Sequence, residues 1–349
     1  MKSNYLYSTL LVLTLTLNAN AAYTQLASLS ELVGTTGATS VNSFVINGTT
    51  SYQITSGTSA NYSVLKTTGL GGVKTTTQII TNAALRAVNG NGNSFSGATG
   101  FGRSSAGVLQ LADGTSEAIY RINTTNNTIS RYVSKADIDL LTGLDTNILA
   151  GHTVLPNGEH AFYDTRSDSF ISTSSGSVST TISTSALIAI AGNADSNGGI
   201  TAFGTSLFWS ENTNRRIYSY DTSTSTGSVA LTTANITSVT GGASFTLGAM
   251  FAAPDNLIYF QDNQSRNVLS FDPTNAAASL TNVLTQAQLL AGPAGTSTLQ
   301  QFGWYNDNLA FLVNTSAGGA APGLYAIPEV STFTLSLGAL TLLGLRRRR

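Results

Sequence analysis

The sequence predicts an all-β fold: a six-bladed β-propeller of four-stranded antiparallel blades, closed by its N-terminal strand. Three observations predict it. A short pattern recurs at nearly even intervals, paired apolar runs stand between the recurrences, and the last unit lacks a strand that the start of the chain can supply.

The recurring pattern is Ser or Thr, any residue, Ala or Ser, any residue, then Leu or Ile. It starts at Ser28, Thr81, Ser134, Ser183, Thr232 and Thr285, with steps of 53, 53, 49, 49 and 53 residues. A glycine follows each copy: Gly34, Gly90, Gly143, Gly192, Gly241 and Gly292. A hydroxyl at the first position can cap a short helical turn. The Leu or Ile then points into the body, and the glycine ends the turn in a left-handed conformation.

Hairpins lie between these marks. The clearest is Thr205 to Asp221: Leu207-Phe208-Trp209, a turn at Glu211 to Asn214, then Ile217 to Tyr220. Two apolar runs joined by an Asn-rich turn read as a β-hairpin. By the same signs Ala161–Tyr163 pairs with Phe170-Ile171, Ile258–Phe260 with Val268-Leu269, and Ala310–Leu312 with Leu324-Tyr325. Earlier, Val108-Leu109 faces Ile119-Tyr120 and Phe44-Val45 faces Tyr52–Ile54. Several hairpins have a strand and turn ahead of them, as at His152–Leu155 with Pro156-Asn157-Gly158, and Ala249–Ala252 with Pro254-Asp255-Asn256. A Thr-rich fourth strand follows, such as Gly227–Leu231.

Four short strands in about 50 residues is a blade signature. One such sheet cannot bury both faces, so the blades must stack about an axis. An all-β solenoid is the competing architecture, but its coils are shorter. The last unit ends at its third strand, Gly323–Ala326, whereas Ala22–Ala27 precedes the first mark, where a fourth strand belongs. That strand can complete the last blade and remove a sticky sheet edge.

The composition narrows the function. Charged residues make up 9% of the 349, the net charge is −1, and cysteine is absent. No basic surface argues for nucleic acid. Disulfides and thiolate metal sites are excluded, and an exported bacterial protein can do without both. Residues 1–21 read as a secretory signal peptide: Lys2, an apolar Leu10–Leu17, and Ala19-Asn20-Ala21 as the cleavage site ahead of Ala22. At the other end, Val330 to Leu345 is an apolar stretch of 16 residues followed by Arg346, Arg347, Arg348 and Arg349. As a helix it covers about 24 Å, short of a hydrocarbon core of about 30 Å. The arginines would stay on the cytoplasmic side. The chain is thus expected to divide into residues 1–21 (signal peptide), 22–327 (propeller) and 328–349 (a C-terminal tail with the apolar stretch and the Arg cluster).

The tail resembles the PEP-CTERM sorting signal of Gram-negative bacteria, which is Pro-Glu-Pro, Ser or Thr, an apolar helix and an Arg cluster. Pro328, Glu329, Ser331 and Thr332 match, while Val330 replaces the second proline. The resemblance covers the last 22 residues. It implies an exosortase-type membrane protease as partner, a transient stay in the inner membrane, cleavage near the motif, and release to the cell surface or extracellular matrix. An ordinary C-terminal anchor is the competing reading. The hairpins resemble NHL and YWTD propeller repeats: Ser210–Ile217 is similar to Ala-Asp-Thr-Gly-Asn-Asn-Arg-Ile, and Pro254–Tyr259 to Pro-Asp-Gly-Asn-Leu-Tyr.

No catalytic or cofactor-binding residue is read from the sequence. His152 and His160 flank a turn, fit no H-E-x-x-H site, and are expected at the surface. There is no G-x-S-x-G elbow and no P-loop. Gly90–Gly97 reads as a flexible insertion. A metal site would fall on Asp164, Glu211 and Asp262, and calcium would suit their oxygens. Some six-bladed propellers, those related to gluconolactonases and regucalcin, bind a divalent ion with carboxylates and Asn at the central channel, and that is what suggests it. A carboxylate after the second strand more commonly ties down a turn. The expected function is therefore a non-enzymatic binding or structural module of the cell surface or matrix, with exopolysaccharide or surface proteins as partners. The alternative is a metal-dependent propeller enzyme, a lactonase-like hydrolase or a polysaccharide lyase.

Overall fold

The computed structural model describes residues 23–56, 62–89, 98–145, 148–194, 199–211, 213–242, 246–292, 299, 301–314 and 321–327. Residues 1–21, read above as a signal peptide, residues 328–349, read as a sorting signal, and the Gly90–Gly97 stretch lie outside them. Among the described residues the strands form six four-stranded antiparallel sheets. Their innermost strands are Ser40–Asn47, Ala98–Ser105, Leu149–Val154, Ile200–Phe203, Leu247–Ala252 and Phe302–Tyr305, in blades 1 to 6. Each touches the inner strand of the next blade, and the sixth touches the first, so the ring is closed.

Closure uses the N-terminal strand. Thr24–Ser28 pairs antiparallel with Gly323–Ala326 and forms the outer edge of blade 6, with Thr24 opposite Ala326 and Ser28 opposite Gly323. Leu26 and Ala27 are fully buried. Tyr23 meets Phe311 edge-on at 5.8 Å between centroids.

The repeat marks are helix caps. The hydroxyls of Ser28, Thr81, Ser134, Ser183, Thr232 and Thr285 each accept from the backbone N–H three residues on, at 3.1–3.3 Å. At four of them the side chain of Glu31, Asp137, Asn235 or Gln288 accepts the cap residue's own N–H, a reciprocal capping box. The apolar residue of each mark is at most 2% exposed: Leu32, Leu85, Ile138, Leu187, Ile236 and Leu289. Gly143, Gly192 and Gly241 end their helices left-handed. Two glycines depart from that expectation. Gly34 has positive φ but lies outside the left-handed helical region, and Gly292 is extended. Gly292 is needed for space instead: a Cβ there would lie 2.0 Å from the Tyr23 ring, so it admits the closing strand's neighbour.

The core is six interface clusters, one between each pair of neighbouring blades. Trp209, for example, stacks on Tyr218 and packs against Phe170 of blade 3. One hairpin register differs from the expectation. Leu109 faces Ile122 and Val108 faces Asn123, because the turn is centred on Gly114 to Glu117 and the strands are longer than their apolar runs. Among the described residues no helix is long and apolar enough to cross a membrane.

Candidate functional site

The acids proposed as metal ligands lie at equivalent places in separate blades. Asp164, Glu211 and Asp262 end the second strands of blades 3, 4 and 5 and are fully buried, as is Asp113 in blade 2. Each is occupied by its own turn. Asp164 accepts from the backbone N–H of Ile148 (2.9 Å) and Ser167 (3.0 Å) and from the Ser167 hydroxyl (2.6 Å). Asp262 accepts from the N–H of Thr246, Gln264 and Ser265, each at 3.0 Å, and from the Ser265 hydroxyl at 2.5 Å. Glu211 accepts from the N–H of Thr213 and Asn214. A buried carboxylate is tolerated when several donors reach it. These acids pin the 2–3 turn, and in blades 3 and 5 also the residue just before the inner strand. The structure does not bring the three together. Among the described residues no group of three or more His, Asp or Glu is placed to hold a metal ion.

The ring encloses an axial channel with two chambers. The larger, about 500 Å³, opens where the inner strands end and draws residues from all six blades. The smaller, about 290 Å³, lies toward the ends where those strands begin. Phe101, His152, Ile200, Met250 and Gln301 border both and form the waist. Phe251 and Trp304 are half-buried on the wall of the larger chamber. Arg103 is the one charged residue among the described residues lining that chamber. Its Nη1 donates to Asn47 Oδ1 at 2.8 Å and its Nε to the Ser105 carbonyl at 3.4 Å.

Hydrogen bonds between inner strands orient the polar side chains here. Thr153 Oγ1 accepts from Ala202 N–H and Thr201 Oγ1 from Ala252 N–H, both at 2.9 Å. Gln301 Oε1 accepts from the Ser43 hydroxyl and from Phe44 N–H, also at 2.9 Å. These bonds tie blade 3 to 4, 4 to 5 and 6 to 1.

The histidines correct the surface expectation. His160 is fully buried and His152 borders the waist. The Pro156-Asn157-Gly158 turn closes the hairpin so that Val154 faces His160, and the strand bulges between Ala150 and Thr153. The two rings then meet, with His152 Nε2 2.5 Å from His160 Nδ1. Space for them comes from blade 2. A Cβ on Gly100 would lie 2.6 Å from His152 Cβ, and one on Gly102 2.3 Å from His152 Cε1. Burial lowers His152 from an ordinary 6.5 to about 4. His160 is pushed well below 6.5 by burial first, then by His152 and Arg121. Both rings are therefore neutral at pH 7, and one donates to the other. His160 Nε2 has no partner among the described residues. Behind the pair, Thr173 Oγ1 accepts from His160 N–H (3.1 Å) and donates to Glu159 (2.5 Å). Glu159 also accepts from Arg121 at 3.2 Å and Tyr132 at 2.9 Å. The sequence carried one sign of this arrangement, the Gly100-x-Gly102 spacing on the preceding inner strand, which gains meaning once the blades are aligned.

No protein-family model matches the chain, and no curated protein matches it by sequence. Solved structures do. A luciferin-regenerating enzyme aligns with a TM-score of 0.54 at 11% identity, over 87% of this chain and 94% of its own. A calcium-binding protein, regucalcin, from Agrobacterium tumefaciens aligns at 0.52 and 10%, over 85% and 92%. A catalytically inactive His-to-Ala variant of virginiamycin B lyase from Staphylococcus aureus, with quinupristin, aligns at 0.54 and 13%, over 83% and 80%. At such identities the likeness speaks for the fold alone. The chain is an all-β protein whose six four-stranded antiparallel sheets form a β-propeller, the fold of these structures.

Proposed function

We propose that this is an exported, non-enzymatic β-propeller of a Gram-negative cell surface or extracellular matrix, and that it binds its ligand at the wide end of the axial channel. The observation that carries the binding reading is the larger chamber. It measures about 500 Å³, within the usual range for ligand pockets, and is walled by aromatic and apolar side chains of all six blades. Among its described lining residues there is no carboxylate to serve as an acid, base or metal ligand. Export rests on the signal-like residues 1–21 with Ala19, Ala21 and Ala22. Surface release rests on the tail's resemblance to a PEP-CTERM signal at Pro328, Glu329, Ser331 and Arg346 to Arg349. The tail pauses in the inner membrane, an exosortase-type protease cuts near Pro328-Glu329, and the propeller is freed to meet exopolysaccharide or surface proteins.

Mass spectrometry of surface protein from the native host tests the route. A mature start near Ala22 and an end near Pro328 are expected, and Glu329→Ala should leave uncut protein in the inner membrane. Peptides running through Leu345 into Arg346 in surface protein would replace release by permanent anchoring. Intact cytoplasmic protein retaining Met1 would end the export reading.

One observation favours the enzyme reading: His152 is neutral, borders both chambers and is backed by a second imidazole. Turnover of a lactone or an acidic polysaccharide that disappears in His152→Asn, with unchanged melting, would move the assignment to a hydrolase or lyase.

A further inference from the structure

The side chains at the wide end of the channel are uneven in one respect: they offer hydrogen-bond donors. The Gln301 carbonyl oxygen is taken by Ser43 and Phe44, which turns its –NH₂ to the waist. The Thr153 and Thr201 oxygens already accept backbone N–H groups, leaving their hydroxyl protons to give. Arg103 is held at the rim by Asn47 and its own strand through Nη1 and Nε. Those bonds leave Nη2 over, and Arg103 has no carboxylate partner among the described residues. A guanidinium is always charged and suits a planar anion. Across the chamber, Phe251 and Trp304 supply half-buried ring surfaces from blades 5 and 6.

From this we propose that the wide end of the channel takes a small organic anion, a carboxylate carried on a ring. The carboxylate pairs with Arg103, the ring lies toward Phe251 and Trp304, and acceptor atoms meet Gln301 and the two threonines. A uronic acid unit and an aromatic carboxylate share this chemistry. The inference rests on the reading of the chamber as a binding site and adds the charge and shape of the ligand. Its support is the coincidence of one fixed cation, donor-biased polar groups and flat apolar surfaces in a chamber of about 500 Å³ without an acid in its described lining.

The chain has two tryptophans, and Trp209 is 1% exposed inside a blade interface. Ligand-dependent fluorescence change therefore reports Trp304. The full chain, purified in detergent, is titrated with digalacturonate and with benzoate, and in parallel with their neutral counterparts digalactose and benzyl alcohol. At least one anion should saturate the signal about tenfold more tightly than its neutral counterpart, as expected for a charge-assisted hydrogen bond. The stronger of the two arms distinguishes the sources. Arg103→Gln should erase that preference without shifting the melting temperature, while Arg103→Lys should retain part of it. Equal binding of anion and neutral compound, unaltered by Arg103→Gln, overturns the anion assignment while leaving the chamber as a site. If neither pair alters Trp304 fluorescence or gives binding heat, the chamber reading itself fails and takes this inference with it.

Discussion

Replacing Leu26 by Ala tests ring closure at its most buried point. Leu26 is fully buried in the interface between blades 6 and 1, clustered with Val41, Leu312 and Leu324. Burying a Leu side chain contributes about 1.5–3 kcal/mol, and the cavity left by truncation raises the cost of Leu→Ala to roughly 2–5 kcal/mol. The site cannot collapse easily. Its strand is paired with Gly323–Ala326 on one side, and the Leu26 carbonyl accepts Gly71 N–H of blade 1 at 3.1 Å on the other. A loss of about 3 kcal/mol is therefore expected, which lowers Tm by about 5 °C in a domain of roughly 300 residues. Thr24→Ala, on the exposed start of the same strand, should stay within about 0.5 kcal/mol. Thermal unfolding followed by circular dichroism and by fluorescence gives both numbers and shows whether the transitions coincide. Deleting residues 22–27 should exceed the point change, since the last blade then loses its outer strand. If Leu26→Ala and the deletion both melt like the parent chain, the N-terminal strand does not close the propeller.

Gly102→Ala should cost about 1–3 kcal/mol by overpacking, because its Cβ meets His152 at 2.3 Å. Adding His152→Ala should recover most of that loss, and a urea-denaturation double-mutant cycle that finds the two strictly additive would refute the contact. The histidine pair also sets a pH dependence. Unfolded imidazoles bind protons below about 6.5, whereas folded His152 does so only below about 4. The unfolded state thus binds more protons between these values, and stability should fall as pH drops from 6.5 to 4. His152→Asn with His160→Asn should flatten that part of the Tm–pH curve, and an unchanged slope would show that the pair is not buried neutral. Asp262→Ala should destabilise by about 1–3 kcal/mol by stripping acceptors from buried N–H groups, with no dependence on added calcium or chelator in scanning calorimetry. A calcium-dependent Tm that vanishes in the variant would instead make Asp262 a metal ligand.

The strand-rich repeat, its spacing and its closure could all be read from the chain, because each is local. A Ser or Thr hydroxyl caps the N–H three residues on, and an apolar residue one step further is buried at every mark. A missing fourth strand at one end and a spare one at the other is likewise a matter of counting. The turn-tying role of Asp164, Glu211 and Asp262 follows from position too, since their partners lie mostly two or three residues ahead. The channel was not legible. Its walls are assembled from residues about 50 positions apart, and which of them face the axis depends on bulges such as the one at Gly151-His152. Even the reading of His160 as a surface group failed for this reason, and His152 faces the channel instead of the outer surface. The close approach of the two rings depends on two glycines of the preceding blade, Gly100 and Gly102, whose missing side chains leave room for them. Nothing local to the histidines announces that space. Tertiary packing alone decided it, along with the isolation of Arg103 in a chamber whose described walls carry no acid.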